Sequence, residues 1–219
     1  MRACHDPRVT RPGFLHTSPV HVPTFDSLLA ELDPATGAVH LVDESLLADA
    51  RALGAESVTD RVAAQITELR DQGAGAICCT CSSIGDVAES VGAAQGVPVF
   101  RVDRPMAARA VSAGRRIGVV AALASTLAPT RALLLEEAAR SGAEVEVELV
   151  LAEDAWPLFE RGDQEGYLAA IATAASGLAS GADVLVLAQA SMAGAEPLLA
   201  DLGLPVLSSP RIAAEHLRG

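Results

Sequence analysis

Two stretches of this chain carry one pattern, half a chain apart. Residues 73–83 read GAGAICCTCSS and residues 181–191 read GADVLVLAQAS. A single offset of 108 positions lays Gly73 on Gly181, Cys81 on Gln189 and Ser83 on Ser191. Each copy has a Gly-Ala lead-in, a short apolar run that reads as a buried parallel strand, and a small polar cluster where a helix should begin. Such strand ends are where α/β proteins build sites. If the two halves face each other, Cys81 and Gln189 should line opposite walls of one cleft.

The repeat extends beyond this motif. GVPVFRVDRP at 96–105 pairs with GLPVLSSPR at 203–211, and LVDESLL near position 41 corresponds in place to LAEDAWPL near 151. Three corresponding segments in the same order point to a duplicated unit. Short apolar runs alternate with longer amphipathic ones, which implies βαβ units and mostly parallel sheets. Strands are expected at 13–16, 38–42, 76–80 and 97–102, then at 116–121, 144–151, 184–188 and 205–207. Helices are expected at 24–32, 58–72, 84–94, 129–141, 164–180 and 193–202. The fold class is therefore α/β, with two pseudo-symmetric lobes, each a short mostly parallel sheet flanked by helices. The lobes span 1–103 and 104–207 and join near 103–114, and a tail at 208–219 packs back on the first lobe.

Composition narrows the partners. The 219 residues are 50% hydrophobic, ample for a sizeable core. All 16 basic residues are Arg, and the net charge is -12. That balance opposes a phosphate-binding surface, so nucleic acid is not an expected partner. No run approaches a membrane span, and the start, MRACHDPRVTRPG, lacks the apolar core of a signal peptide, so a cytoplasmic protein is expected. The four cysteines are Cys4, Cys78, Cys79 and Cys81; three are crowded into four positions and do not read as a disulfide framework. Cys79 and Cys81 have the wrong spacing for a zinc knuckle and no nearby His, so no metal is expected.

The chemistry centres on Cys81. It sits where a strand ends and a loop opens into a helix near Ile84, close to the positive end of a helix dipole that favours a nucleophilic thiolate. Ser82 and Ser83 can donate to a carboxylate. The first strand ends in His16-Thr17-Ser18, and its second-half counterpart runs into Ser125-Thr126, groups suited to a small carboxylate or to capping a helix. His16 is a candidate acid or base, and His21 a weaker one. Asp43, Glu44, Glu153 and Asp154 follow strand ends as carboxylate pairs. Asp103 and Arg104 read as an ion pair or as substrate contacts, with structure favoured, and Trp156 with Phe159 as packing or as a lid over the site, with packing favoured. No GxGxxG, P-loop or HExxH is present.

These residues resemble the aspartate/glutamate/hydantoin racemase superfamily over nearly the whole chain. Its members carry a Gly-Ala-Asp-like lead-in, an apolar strand, then Cys-Asn-Thr in one lobe and Leu-Gly-Cys-Thr in the other. Here the corresponding sites read Cys81-Ser82-Ser83 and Leu187-Ala188-Gln189-Ala190-Ser191-Met192. The resemblance implies cofactor-free acid–base chemistry next to the carboxylate of a small acid, in a homodimer. It maps a dioxyanion pocket onto Thr17, Ser18, Ser82, Ser83, Ser125, Thr126 and the backbone around Ala190 and Ser191. The departure is Gln189, which stands at the second cysteine position and cannot accept and return a proton near neutral pH. A thiol pair is therefore missing, and His16 or another group must replace the second thiol if two bases act. Gln189 is expected to hydrogen-bond the substrate or a developing enolate oxygen. The alternatives are a single-cysteine isomerase, decarboxylase or lyase of the same fold, a hydrolase acting through Cys81, and a non-catalytic small-carboxylate binding protein.

Overall fold

The structure is a computed structural model that describes residues 11–218. Cys4 and the segment read above for a signal peptide lie outside the described residues, apart from its last three positions. The chain divides into two compact units. One is the chain up to Val102 together with the residues from Ala214 onward; the other is Asp103–Ala213.

The first unit is built on four parallel strands, β1 (Arg11–His16), β2 (Val39–Val42), β3 (Ala74–Cys79) and β4 (Val99–Arg101), in the order β2-β1-β3-β4. Every residue of β1 after Arg11 is buried, as a strand covered on both faces requires. Leu15, Ile77 and Cys79 face a core that includes Val62, Ile66 and Leu69 of α3 (Thr59–Asp71) and Val87, Ala88 and Val91 of α4 (Gly85–Gln95). Phe14 packs instead on Phe25 of α1 (His21–Leu32), with the rings tilted and 4.6 Å between their centres. Helix α2 (Glu44–Leu53) and a 3₁₀ turn, Ala55–Val58, complete the unit.

The second unit repeats the plan. Its strands are β5 (Arg116–Ala121), β6 (Glu146–Leu151), β7 (Val184–Leu187) and β8 (Val206–Ser208), all parallel, in the order β6-β5-β7-β8. Alternate residues point to opposite faces. Ile117, Val119, Val184 and Val186 join one apolar cluster with α5 (Arg104–Ala113) and α6 (Ala124–Ser141). Val120, Leu185 and Leu187 join another with Tyr167, Ile171 and Ala175 of α8 (Gln164–Leu178). Short α7 (Ala155–Glu160) precedes α8, and α9 (Ser209–His216) ends the fold. At its end His216 meets Phe100 edge-on at 4.8 Å, and the Arg218 guanidinium donates to the Leu32 carbonyl at 2.6 Å.

The repeat holds at the level of single hydrogen bonds. Thr80 N–H donates to the Leu15 carbonyl at 3.0 Å, and Ala188 N–H donates to the Val120 carbonyl at 2.9 Å. Leu15 and Val120 are each the penultimate residue of the inner strand. Thr80 therefore corresponds to Ala188, and Cys81 to Gln189, with no adjustment of the register.

Several elements depart from the sequence expectation. Helices α2, α5, α7 and α9 were not anticipated. Residues 104–113, expected as the join between lobes, form α5, which opens with Pro105 in its first turn, where a missing N–H costs nothing. Helix α6 starts at Ala124 and contains Pro129, rather than beginning there. The span expected as a helix at 193–202 lies in a 3₁₀ segment, Ala190–Leu202. Pro197 inside it has no N–H for an α-helical bond, and a Cβ on Gly194 would lie 2.9 Å from Leu168, so the segment lies tight against α8.

Candidate functional site

In the order β2-β1-β3-β4 the chain turns one way from β1 to β2 and the other way to β3. The carboxyl ends of β1 and β3 thus flank a switch point, the place where open α/β sheets bind ligands. In the first unit His16 ends β1 and Thr17 follows it, and Thr80 and Cys81 follow β3. Cys81 is 8% exposed and lies at the edge of the apolar cluster. Its carbonyl accepts from Ile84 N–H at 3.3 Å and from the Cys79 thiol at 3.6 Å, which fixes the turn leading into α4. Ser82 is half-buried and Ser83 exposed on that turn, while Thr17 is buried and Ser18 half-buried on the loop leading to α1. Cys78 and Cys79 are fully buried.

His16 is fully buried and tied on both ring nitrogens. Its Nδ1 is 2.9 Å from Thr80 Oγ1, and its Nε2 is 2.8 Å from His40 Nδ1. Burial first, then the neighbouring His40 and His21 rings, hold its pKa down to about 3 from the usual 6.5. His16 is thus a neutral imidazole across the physiological range. Burial also lowers the pKa of His21, the first residue of α1, whose ring centre lies 6.3 Å away. The imidazoles do not converge on a common point: among the described residues no three His, Cys, Asp or Glu side chains are placed to hold one metal ion.

The second unit has the same switch point between β5 and β7. It is spanned by Gln189, whose Oε1 accepts from the Ala122 N–H at 2.6 Å. The amide oxygen is thereby committed to the backbone, leaving Nε2 as a donor with no partner among the described residues. Ala190 and Ser191 open the 3₁₀ segment, and the Ser191 hydroxyl pairs with Tyr167 Oη at 2.8 Å. Burial raises the Tyr167 pKa, so this phenol stays protonated. Ser125 and Thr126, expected in a loop, lie in the first turn of α6, whose N-terminal end carries unsatisfied N–H groups. Pro129 leaves the Ser125 carbonyl without its intrahelical donor.

Several other candidates have structural partners. Asp43 is the N-cap of α2: it accepts from Ser45 N–H at 3.0 Å and from Gln65 Nε2 at 2.8 Å. Arg104 pairs with Glu136 and Glu137, and Asp103 accepts at its carbonyl from Ala107 N–H. Glu153 and Asp154 immediately precede α7. Trp156 stacks on Phe159 at 5.0 Å, and Phe159 packs on Tyr167 at 5.2 Å. The Asp of the Gly-Ala-Asp lead-in, Asp183, clamps the start of β5, accepting from Arg115 N–H, Arg116 N–H and the Arg116 guanidinium. Hydrogen bonds from Arg116 hold its pKa down to about 2. A depression lined by Arg116, Glu146, Glu148 and Gly181 lies at the opposite, amino ends of these strands.

Sequence reasoning missed Thr80, His40 and Asp26. His40 could have been found: it is the polar residue of an otherwise apolar strand, VHLV, and pairs in register with Phe14 beside His16. Thr80 carried no signal beyond its place before Cys81.

With this geometry in view, a model of the Asp/Glu/Hydantoin racemase family matches residues 13–217. No curated protein matches the chain by sequence. The fold is similar to glutamate racemase from Francisella tularensis subsp. tularensis SCHU S4, solved in complex with D-glutamate, at 16% identity and a TM-score of 0.68; the match covers 95% of this chain and 79% of that one. Aspartate racemase from Picrophilus torridus superposes at 15% identity and 0.65, covering 94% and 92%. The Gly74Cys mutant of arylmalonate decarboxylase superposes at 17% identity and 0.63, also covering 94% and 92%. At these identities the likeness is one of fold.

Proposed function

Because this chain belongs to the Asp/Glu/hydantoin racemase family, we propose that it is a cofactor-independent enzyme acting next to the carboxylate of a small acid, with Cys81 as the base or nucleophile. The observation that carries this reading is the position of Cys81. It follows the carboxyl end of β3, at the strand-order reversal, on the turn into α4, with the Thr17 and Ser18 strand end alongside. In this reading Ser82 and Ser83, together with Thr17 and Ser18, hold a carboxylate in the first unit. In the second unit Ser125, Thr126 and the backbone around Ala190 and Ser191 do the same. Gln189 is a donor and not a base: with Oε1 held by Ala122, its Nε2 offers N–H to a carboxylate or enolate oxygen. That geometry favours one-thiol chemistry, such as isomerisation, decarboxylation or lysis, over racemisation by a pair of thiols. In this reading the protein works in the cytoplasm as a homodimer, the latter as the family resemblance implies, and a monomeric sedimentation coefficient would overturn the dimer.

The test is proton NMR in D2O with both enantiomers of aspartate and glutamate, with maleate and with methylmalonate-type acids, comparing the native protein with Cys81→Ala. Loss of the proton signal next to a carboxylate, or conversion of an acid, is expected with the native protein and absent from the variant. If no acid changes and the Cys81 thiol resists alkylation, the chain is a carboxylate-binding protein instead. Stabilisation by an acid without turnover would then be its signature.

A further inference from the structure

A chain of hydrogen bonds crosses the first unit and is used by nothing described so far. Asp26 Oδ1 lies 3.1 Å from His40 Nε2, and His40 Nδ1 lies 2.8 Å from His16 Nε2. His16 Nδ1 lies 2.9 Å from Thr80 Oγ1, which is 3.3 Å from the Leu15 carbonyl. Four pieces of the fold supply it: α1, β2, β1 and the residue that follows β3. The outer end is open, with the Asp26 side chain 58% exposed, and the inner end is closed, with His16 fully buried and Thr80 at 7%.

Proton accounting allows two complete arrangements. In the first, His40 is neutral and donates from Nε2 to Asp26. Its Nδ1 then accepts from His16 Nε2–H, and His16 Nδ1 accepts the Thr80 hydroxyl. In the second, His40 is an imidazolium, donating from Nε2 to Asp26 and from Nδ1 to His16. His16 then carries its proton on Nδ1 and donates to Thr80, whose hydroxyl turns to the Leu15 carbonyl. Each contact from Asp26 to Thr80 has one donor and one acceptor in both cases, and the Thr80 hydroxyl donates to the Leu15 carbonyl only in the second. The two arrangements differ by one proton, and every bond inward of His40 reverses its direction between them.

We propose that Asp26, His40, His16 and Thr80 form a proton wire that loads and unloads Cys81, moving a proton between the Cys81 strand end and the solvent-facing His40–Asp26 pair. This rests on the reading of Cys81 as the reacting thiol. When the Cys81 S–H bond breaks, its electron pair stays on sulfur and the proton passes to Thr80 Oγ1, directly or through one water. The former hydroxyl proton moves to His16 Nδ1, and the His16 Nε2 proton moves to His40 Nδ1. The result is one thiolate and one imidazolium, the latter beside a carboxylate. The reverse passage returns the proton. His16 changes tautomer and never holds the charge, in keeping with its burial and its lowered pKa. The titratable groups that face it are His21 on α1 and His40 on β2, with Asp26 one step further out on His40. Asp43 reaches it through its N–H, which donates to the His16 carbonyl at 2.9 Å, while the Asp43 carboxylate is held by Ser45 and Gln65.

The wire is read directly by nitrogen-15 NMR of the histidine side chains in the full chain as the pH is lowered. At high pH both His16 and His40 should carry their proton on Nε2. As His40 gains its second proton, His16 should switch to Nδ1–H with the same midpoint and without becoming cationic. Asp26→Asn, at an exposed position, should move both changes together to lower pH, and Thr80→Val should leave His40 titrating while His16 no longer switches. A His16 that keeps one tautomer while His40 titrates, or that takes the charge itself, overturns the wire. Turnover separates the two proposals. If proton exchange in D2O depends on Cys81 and His40→Gln slows it about 100-fold, both stand. If it depends on Cys81 and neither Asp26→Asn nor His40→Gln changes it, the wire fails and the role of Cys81 survives. A tautomer switch in a protein that turns over no acid supports the wire as a conduit and removes the reaction assigned to Cys81.

Discussion

At the scale of single residues, Gln189 shows how one side chain divides its two ends. Its carbonyl oxygen closes the gap between β7 and β5 by accepting from Ala122, while its amide nitrogen stays available. Gln189→Glu keeps the acceptor and replaces the donor with a second carboxylate oxygen. Carboxylate ligands should then bind about tenfold more weakly or worse, roughly 1.4 kcal/mol, with little change in Tm; titration calorimetry and a thermal melt check both. Gln189→Ala loses the bridge as well and should lower stability by about 1 kcal/mol. Asp183 makes the opposite point, since a residue that looks functional in the motif is an anchor. Its folded pKa of about 2 lies below the ordinary 3.8, so its carboxylate stabilises the fold above that ordinary value and stops doing so as the pH falls toward 2. Asp183→Asn should therefore be less stable than the native protein at pH 7, with the gap narrowing in acid, as urea denaturation at the two pH values would show. The Asp183 motif was legible in the sequence, but its role was not. Four N–H donors converge on it only because β5 and β7 pair in register.

At the scale of elements, the strands were legible because buried parallel strands are continuous apolar runs, and each expected strand lies within a few residues of an observed one. The helices were less so. The Asp43-Glu44 pair resembles site chemistry in the sequence, yet it is the cap and first turn of α2, a distinction that depends on where Ser45 N–H and Gln65 lie. Helix α7 has six residues and too few turns to show a period. Packing also overrides propensity in α4. A Cβ at Gly92 would fall 2.4 Å from Val99 Cγ2 and 2.9 Å from the Val97 carbonyl. Gly92→Ala should thus destabilise by about 1–3 kcal/mol, although alanine is the better helix former by about 1 kcal/mol. An unchanged urea midpoint would show that α4 can move away from β4.

At the scale of the whole molecule, the buried histidine should govern acid stability. His16 has a folded pKa of about 3 against 6.5 in the unfolded chain, so the unfolded state binds the proton first. Stability present above pH 6.5 should fall as the pH drops from 6.5 toward 3, at no more than about 1.4 kcal/mol per pH unit from this group. His16→Gln should flatten that slope in urea titrations, and an unchanged slope would assign acid unfolding to other groups. The duplicated plan belongs to the sequence: the 108-residue offset, the apolar runs and the loss of the second cysteine at Gln189 are all read from residue order, because strand burial and strand ends leave local patterns. The sequence also places Cys81 at a strand end. Tertiary structure decided which neighbours those ends acquire. His40 and Asp26 reach His16 across strand pairing and helix packing, and Gln189 reaches Ala122 across 67 positions of chain. Hydrogen bonds between residues so far apart depend on register and on the crossing of strands, and neither leaves a period in the sequence.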